Sequence, residues 1–313
     1  MSASPARPGI HDGLPDGLTT RPLALADSAE VHALIADQER ADIGTVEIEE
    51  EDLVGEWQRP SYDLAASSVA VLDGTRIVAY AEHLGAERYD AAVHPTWRGR
   101  GIGTWLASWA QDLARRRGAA VVGMPVPEGS PGDRLLTALG YHVRWTSWVL
   151  RLPEGRSIAD RPLPEGYQVR VATEADREQV WRVTEDAFLE WSDRDRTSLD
   201  DFAAEVWLRP GFELWHLIVV TGPDGAVAGA VNSSMSDIDG AKETYVSRLA
   251  VAREHRNRGL AQGLLVAAFA AGREHGATSS CLSTDSRTGA LTLYEKVGMV
   301  AGSVWLHRGI ALS

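Results

Sequence analysis

A six-residue pattern occurs twice in this chain at a fixed distance, and it restricts the possible folds more than any other feature. Arg98-Gly99-Arg100-Gly101-Ile102-Gly103 and Arg256-Asn257-Arg258-Gly259-Leu260-Ala261 both read arginine, two spacers, glycine, a spacer and a small residue. Gly101 and Gly259 are 158 positions apart. The same separation holds for Val93 and Val251 ahead of the pattern and for Gly140 and Gly298 behind it. A constant offset over that much chain means a duplicated domain. Nearer the start, Gly17, Arg21 and Asp27 reappear as Gly166, Arg170 and Asp176, at an offset of 149. The second copy is therefore nine residues longer between its first strand and the repeated pattern, and Phe188 to Arg196 is the expected location of the excess.

Each pattern sits between a strand and a helix. Val246 to Val251 alternates and then turns apolar, and Ala91-Ala92-Val93 is strand-like in the first copy. Behind the patterns, Leu264, Leu265, Ala268 and Phe269, or Trp105, Leu106, Trp109 and Leu113, recur at helical spacing until Gly276 or Gly118. Unsatisfied N–H groups of a helix's first turn, with the positive end of its dipole, suit a phosphate or pyrophosphate. Glycines let the backbone approach an anion, and Arg98, Arg100, Arg256 and Arg258 are placed to add charge. A solvated basic loop is the plainer alternative for either turn.

At these residues the sequence resembles the GNAT superfamily of acyl-CoA-dependent N-acyltransferases, whose signature is Gln/Arg-x-x-Gly-x-Gly/Ala at a strand–helix junction. The resemblance implies a mixed α/β (α+β) fold: two tandem domains, each a central, mostly antiparallel twisted sheet with a splayed strand pair, flanked by helices. It implies acetyl-CoA as cofactor, held by Leu249, Ala250, Val251, Arg256, Asn257, Arg258, Gly259, Leu260 and Ala261. In the first copy the matching positions are Val93, Arg98, Gly99, Arg100, Gly101, Ile102 and Gly103. Thr288-Gly289-Ala290 and Leu293-Tyr294-Glu295-Lys296-Val297-Gly298 resemble the family's later helix, which makes Tyr294 the expected acid for the leaving thiolate. A phenol near pKa 10 suits that task; a core aromatic beside Leu291 and Val297 is the alternative. Ser286 falls where many members carry an asparagine near the pantetheine. The tandem layout resembles that of mycothiol synthases, which acetylate a cysteinyl-amine sugar.

The first copy departs from the pattern. Leu136 stands 158 before Tyr294, and a leucine donates no proton; Glu128, in Pro125 to Gly132, stands 158 before Ser286. The N-terminal domain is thus expected to keep a CoA-type turn without transferring acyl groups. A general base is harder to find. Glu243, opening the strand that leads to the second turn, is the expected base, with a solvated loop acid as the alternative. Trp191 and Asp193, in the segment that also holds Asp195, are the expected contacts of the amine. Trp207 and Trp215 are expected in the core, and His216 reads as a satisfied strand histidine.

The remaining features set bounds. A chain of 313 residues with 44% apolar composition fills two ordinary cores. Pro153 to Glu165 is the natural linker, giving an N-terminal tail over 1–16, domains over 17–152 and 166–313, and a linker over 153–165. Asp73-Gly74 and Asp224-Gly225 are hairpin turns between apolar runs. The acidic residues of Glu47 to Trp57 read as a solvated helix face, with a cation-attracting rim as the alternative. A net charge of −13 disfavours nucleic acid as a partner. One cysteine, Cys281, excludes an internal disulfide, and no His/Cys cluster has metal spacing. No apolar run is long enough to span a bilayer. The expectation is a cytoplasmic monomer or homodimer that acetylates a primary amine of a small molecule, an antibiotic being one alternative acceptor. A non-catalytic CoA-binding or ligand-sequestering protein is the rival from another class.

Overall fold

The computed structural model describes residues 13–85, 87–238 and 240–312. Of the stretch expected as a tail, residues 1–12 lie outside these. In chain order the first copy contains β1 (Leu18–Arg21), α1 (Ser28–Ile43), α2 (Glu50–Trp57), α3 (Leu64–Ser67), β2 (Ser68–Asp73), β3 (Arg76–His83), β4 (Tyr89–Val93), α4 (Ile102–Arg116), β5 (Val121–Pro127), α5 (Pro131–Ala138) and β6 (His142–Leu152). The second contains β7 (Gln168–Val171), α6 (Arg177–Leu189), α7 (Leu199–Glu205), β8 (Leu217–Thr221), β9 (Val227–Ile238), β10 (Ala241–Val251), α8 (Leu260–Glu274), β11 (Ser279–Asp285), α9 (Leu291–Lys296) and β12 (Val300–Ala311). The mixed architecture expected from the sequence is present. The 158-residue offset also holds element by element: α4 and α8 start at Ile102 and Leu260, β5 and β11 at Val121 and Ser279.

The chain forms two compact units. Among the described residues, unit 1 comprises 13–48, 63–144 and 307–312; unit 2 comprises 49–62 and 145–306. In unit 1 the strands run β1-β2-β3-β4, antiparallel throughout, and β5 hydrogen-bonds to the far end of β12. In unit 2 the order is β6-β11-β10-β9-β8-β7. All neighbours in that series are antiparallel except β10 and β11, which are parallel.

Residues matched between the copies do matched structural work. The early arginine and aspartate form the same bidentate ion pair, Arg21 to Asp27 at 2.6 and 2.8 Å and Arg170 to Asp176 at 2.7 and 2.9 Å. It ties the first strand to the start of the first helix. Both Asp-Gly turns close hairpins, with Gly74 at φ 61° and Gly225 at φ 81°, a region that glycine enters without strain.

The nine extra residues do not sit where the sequence suggested. β2 and β8 begin at Ser68 and Leu217, still 149 apart, so the segment around Phe188 to Arg196 adds nothing net. The excess lies after that point, mostly in a longer β9–β10 hairpin. β9 and β10 span 12 and 11 residues, against 8 and 5 for β3 and β4. The acidic stretch is also corrected. Glu49 is not on a solvated face: its side chain is buried and, with the half-exposed Asp52, grips Arg209 within unit 2.

The sheet of unit 2 is covered on both faces, which explains the unbroken apolar run Leu217–Thr221. One face carries α8 through Leu260, Leu264, Leu265, Ala268 and Phe269, packed with Ile218, Val220, Val231, Val246 and Leu282. The other carries α6 and α7 through Val180, Phe202 and Val206 against Leu217, Val219 and Ala230, with Trp207 in the same cluster. No helix among the described residues is long and apolar enough to cross a membrane.

Close approach of α8 to β10 depends on Gly272. A Cβ there would lie 1.8 Å from Thr244 Oγ1, a fully buried atom. Gly272→Ala is expected to lower unfolding free energy by about 1–3 kcal/mol through overpacking. Adding Thr244→Ala should recover part of that loss, because it removes the clashing atoms. Urea denaturation of the single and double variants checks both.

Candidate active site

The site begins where two neighbouring strands part. β10 and β11 pair in parallel from Glu243–Ser279 to Val246–Leu282, and no further. β10 continues along β9 to Val251, while β11 follows β6 to Asp285. Residues Ser247 to Val251 therefore run along an opening, with main-chain groups on that side not engaged by β11. A register shift in the β9–β10 pairing between Val246 and Arg248 marks the start of the opening with a bulge. In unit 1 the equivalent contact is a single parallel bridge, Arg88 to Gly123, after which β4 and β5 separate.

Beyond Val251 the chain makes a short 3-10 turn and enters α8 through the repeated pattern. Asn257 has φ 62° and Gly259 φ 83°; in unit 1 Gly99 has 74° and Gly101 87°. Asn257 is the one described non-glycine residue with positive φ, and asparagine is among the few that tolerate it. Both turns thus share one backbone shape, with left-handed residues at matched positions before each helix. Neither Gly101 nor Gly259 caps its helix with a side chain. What remains is a pair of uncapped helix N-termini, each beside parting strands.

The pattern arginines have other partners. Arg256 holds Glu190 bidentately at 2.8 Å and donates through Nε to the Val251 carbonyl at 3.0 Å. Arg98 holds Asp42 in the same way, at 2.7 and 3.0 Å. Arg258 bonds the Tyr167 hydroxyl and the Glu254 carbonyl, and Arg100 bonds the Thr96 carbonyl while lying over Trp97. These side chains shape the turn. The cation beside the second turn comes from the linker: a Cβ on Gly259 would meet Arg161 side-chain atoms at 2.9 Å. Leu163 packs on Gly263, and Gln262 donates to the Ala159 carbonyl at 2.8 Å, fixing that segment against the first turns of α8.

The other expected residues fall in different places. Tyr294, on α9, is 8% exposed within the α8 core cluster, and burial pushes its phenol up to about 12. Its first-copy counterpart Leu136 is buried in unit 1. Ser286 is engaged at the end of β11: its amide donates to the Thr146 carbonyl and its hydroxyl accepts from the Thr146 amide. Glu243 is at the far end of β10 from the turn, about 26 Å from Val251 at strand rise. There it holds Arg151 at 3.2 Å and accepts from Ser279 at 2.9 Å. The fold does not bring Glu243 to the opening. Trp191 stacks on Phe188 and on Arg287, which itself lies over Trp145 and pairs with Asp285. The loop after α6 therefore meets the loop after β11, beside the opening. Asp193 is exposed on that loop. Among the described residues no group of three or more His, Cys, Asp and Glu could hold a metal.

A small pocket, partly open to solvent, lies on the α6–α7 face of unit 2. Asn232, Ser233 and Ser234 of β9, Ser247 and Arg248 at the β10 bulge, Glu205, Arg209 and His216 line it, with Asp52 at its edge. The sequence reading passed over most of these. The signal was there: a polar run, Asn232-Ser233-Ser234, interrupts an apolar strand, and its partner strand carries an arginine in mid-course. His216 is buried at 4% exposure but is not the satisfied histidine expected. Its Nδ1 accepts the Glu213 amide at 3.0 Å, and its Nε2 has no hydrogen-bond partner. Burial holds its pKa down at about 4, so the ring is neutral.

Glu49, which borders this pocket through Ser234 and Arg209, is pushed up to about 7 by burial and by Asp52 nearby, against the pull of Arg209. Its ordinary value is 4.5, so between those values the folded chain binds more protons than the unfolded one. Stability conferred by protonated Glu49 is complete below about pH 4.5 and is lost as pH rises through about 7. Relative to Glu49→Gln, the wild type should lose stability across that window. Urea midpoints at a series of pH values check this; a pH-independent difference contradicts it.

Comparison with known proteins agrees with this geometry. The profile described as "Acetyltransferase (GNAT) family" matches residues 31–132 and 178–299, one stretch in each copy. Mycothiol acetyltransferase from Salinispora arenicola is 30% identical over 229 residues, covering 70% of this chain and 71% of its own. Mycothiol acetyltransferase from Thermobispora bispora is 27% identical over 252 residues, covering 76% and 82%. Among solved structures, a GCN5-related N-acetyltransferase from Sphaerobacter thermophilus superposes with a TM-score of 0.70 at 25% identity, over 96% of this chain and 97% of its own. A tandem GNAT protein from the clavulanic acid biosynthesis pathway gives 0.71 at 20% identity, over 95% and 99%, a likeness of fold.

Proposed function

The chain belongs to the GNAT acetyltransferase family and is an acyl-CoA-dependent N-acetyltransferase; from that premise we propose that unit 2 performs the transfer, onto a primary amine of a small molecule. The observation that carries the reading is the uncapped N-terminus of α8, shaped by Asn257 and Gly259, beside strands that part after Val246 and Leu282. The residues there fit acetyl-CoA, which supplies the thioester carbonyl that the amine attacks. First-turn amides near Leu260 and Ala261 hold the pyrophosphate, with Arg161 and Arg258 adding side-chain charge while Arg256 is paired with Glu190. Leu249 to Val251 offer main-chain groups to the pantetheine arm along the opening.

Tyr294 is the proton donor toward the sulfur. With its phenol near 12, it stays protonated at any working pH. It therefore acts as a fixed O–H donor to the developing thiolate, and full proton transfer to a thiol of pKa about 8.5 is uphill. Glu49, titrating near 7 at the edge of the pocket, has a better-tuned pKa for the task of general base than Glu243, which is tied to Arg151. In unit 1 Leu136 removes the donor, which supports a binding or relic role for that copy. The relatives named mycothiol acetyltransferase favour a cysteinyl amino-sugar as the first acceptor to try.

Two outcomes test this reading. Tyr294→Phe should lower kcat by about 10²-fold while leaving the acetyl-CoA dissociation constant within about twofold; an unchanged kcat removes Tyr294 from the chemistry. Gly259→Asp should abolish calorimetric acetyl-CoA binding to unit 2 and with it turnover, since it puts a carboxylate where the pyrophosphate is held. Gly101→Asp should leave turnover intact. The reverse pattern would place the active turn in unit 1.

A further inference from the structure

Two residues that line the unit 2 pocket each carry a buried polar atom left unsatisfied by the fold. His216 Nε2 and Asn232 Oδ1 are both buried without a hydrogen-bond partner, and both residues line the pocket. The residues are 4% and 7% exposed, so bulk water does not serve them well. Such atoms cost stability in the free protein, which makes a ligand the economical explanation.

Their hydrogen-bonding roles follow from their neighbours. The Nδ1 of a neutral His216 ring accepts the Glu213 amide, so the ring proton is on Nε2, a donor. Ser247 donates its hydroxyl proton to the Asn232 carbonyl at 3.3 Å, so its oxygen must accept from the Asn232 side chain, at 2.9 Å. That turns Nδ2 toward Ser247 and leaves Oδ1, an acceptor, for the pocket. The charged groups around them are already matched. Arg209 pairs with Glu49 and Asp52, while Arg248 and Arg59 both pair with Glu205. The pocket therefore asks for no net charge. Ser247 also connects it to the reaction centre, since it is the first β10 residue beyond the last β10–β11 pair.

Resting on the acetyltransferase reading above, we propose that this pocket selects the acceptor by a neutral group that both gives and takes a hydrogen bond, a hydroxyl or a primary amide. The group accepts from His216 Nε2–H and donates to Asn232 Oδ1. A site that leaves two buried polar atoms unpaired discriminates strongly against an analogue lacking the group. His216 and Asn232 are specificity-determining residues and take no part in the proton transfers.

The test uses the full chain and three probes: cyclohexylamine, 4-aminocyclohexanol and 4-aminocyclohexanecarboxamide. Calorimetry measures their binding with and without coenzyme A, and proton–nitrogen correlation NMR follows the His216 side chain. The hydroxyl or the amide amine should bind at least about tenfold more tightly than cyclohexylamine and shift the His216 signal. Which of the two does so identifies the group. In His216→Phe and Asn232→Leu the preference should fall to within about twofold, with acetyl-CoA affinity unchanged. Equal affinities for the three probes, no measurable binding of either polar amine, or a preference surviving in both variants overturns the proposal. If neither variant folds, the His216 shift in the wild type decides. Failure to bind acetyl-CoA would sink the acetyltransferase reading instead, because probe binding is read independently of it.

Discussion

The structure depends on where one parallel strand pair stops. β10 and β11 hold each other only as far as Val246 and Leu282. Past that point each strand keeps its other neighbour, so the sheet stays intact while a slot opens in its middle. A closed pair would have consumed the main-chain groups of Ser247 to Val251 in ladder bonds. The bulge at the same place turns β10 and presents Ser247 toward the α6–α7 face. One local departure from regular pairing thus frees the edge of the strand beside β11 and sets Ser247 in the wall of the pocket.

The turn beyond the slot shows how a binding shape is kept without its most obvious charges. In both copies the first arginine is locked to a carboxylate from the preceding helical segment, Asp42 or Glu190. The pair braces the turn whose left-handed residues follow it. The two turns keep one backbone shape although Gly99 is replaced by Asn257, because asparagine is among the few non-glycine residues that tolerate a positive φ.

Duplication with loss of one side chain accounts for the asymmetry between the copies. Leu136 fills with a hydrocarbon the position from which Tyr294 would offer a hydroxyl, and both are buried. Unit 1 gains a well-packed core position there. Unit 2 keeps a buried phenol whose burial raises its pKa and holds its proton in place. The longer β9–β10 hairpin is the other difference, and its strands carry Asn232, Ser233, Ser234, Ser247 and Arg248 into the pocket that unit 2 builds.

Periodicity, turn residues and spacing were sufficient for the repeat, for both strand–turn–helix junctions and for the two Asp-Gly hairpins. These are local patterns, written within a dozen residues and governed by backbone preference and apolar spacing. The same local reading took Glu243 as the base, His216 as satisfied and the acidic residues around Glu49 as solvated. Glu243 and Glu49 are held by Arg151 and Arg209, 92 and 160 positions away, and His216 is left with a bare Nε2 by the packing around it. None of this exists until the sheet has assembled. Sequence by itself determined the architecture and the strand–turn–helix junctions; the tertiary structure decided which charges are spent in ion pairs and which buried polar atoms are left without a partner, because electrostatic matching is settled between distant segments and leaves no periodic trace in the chain.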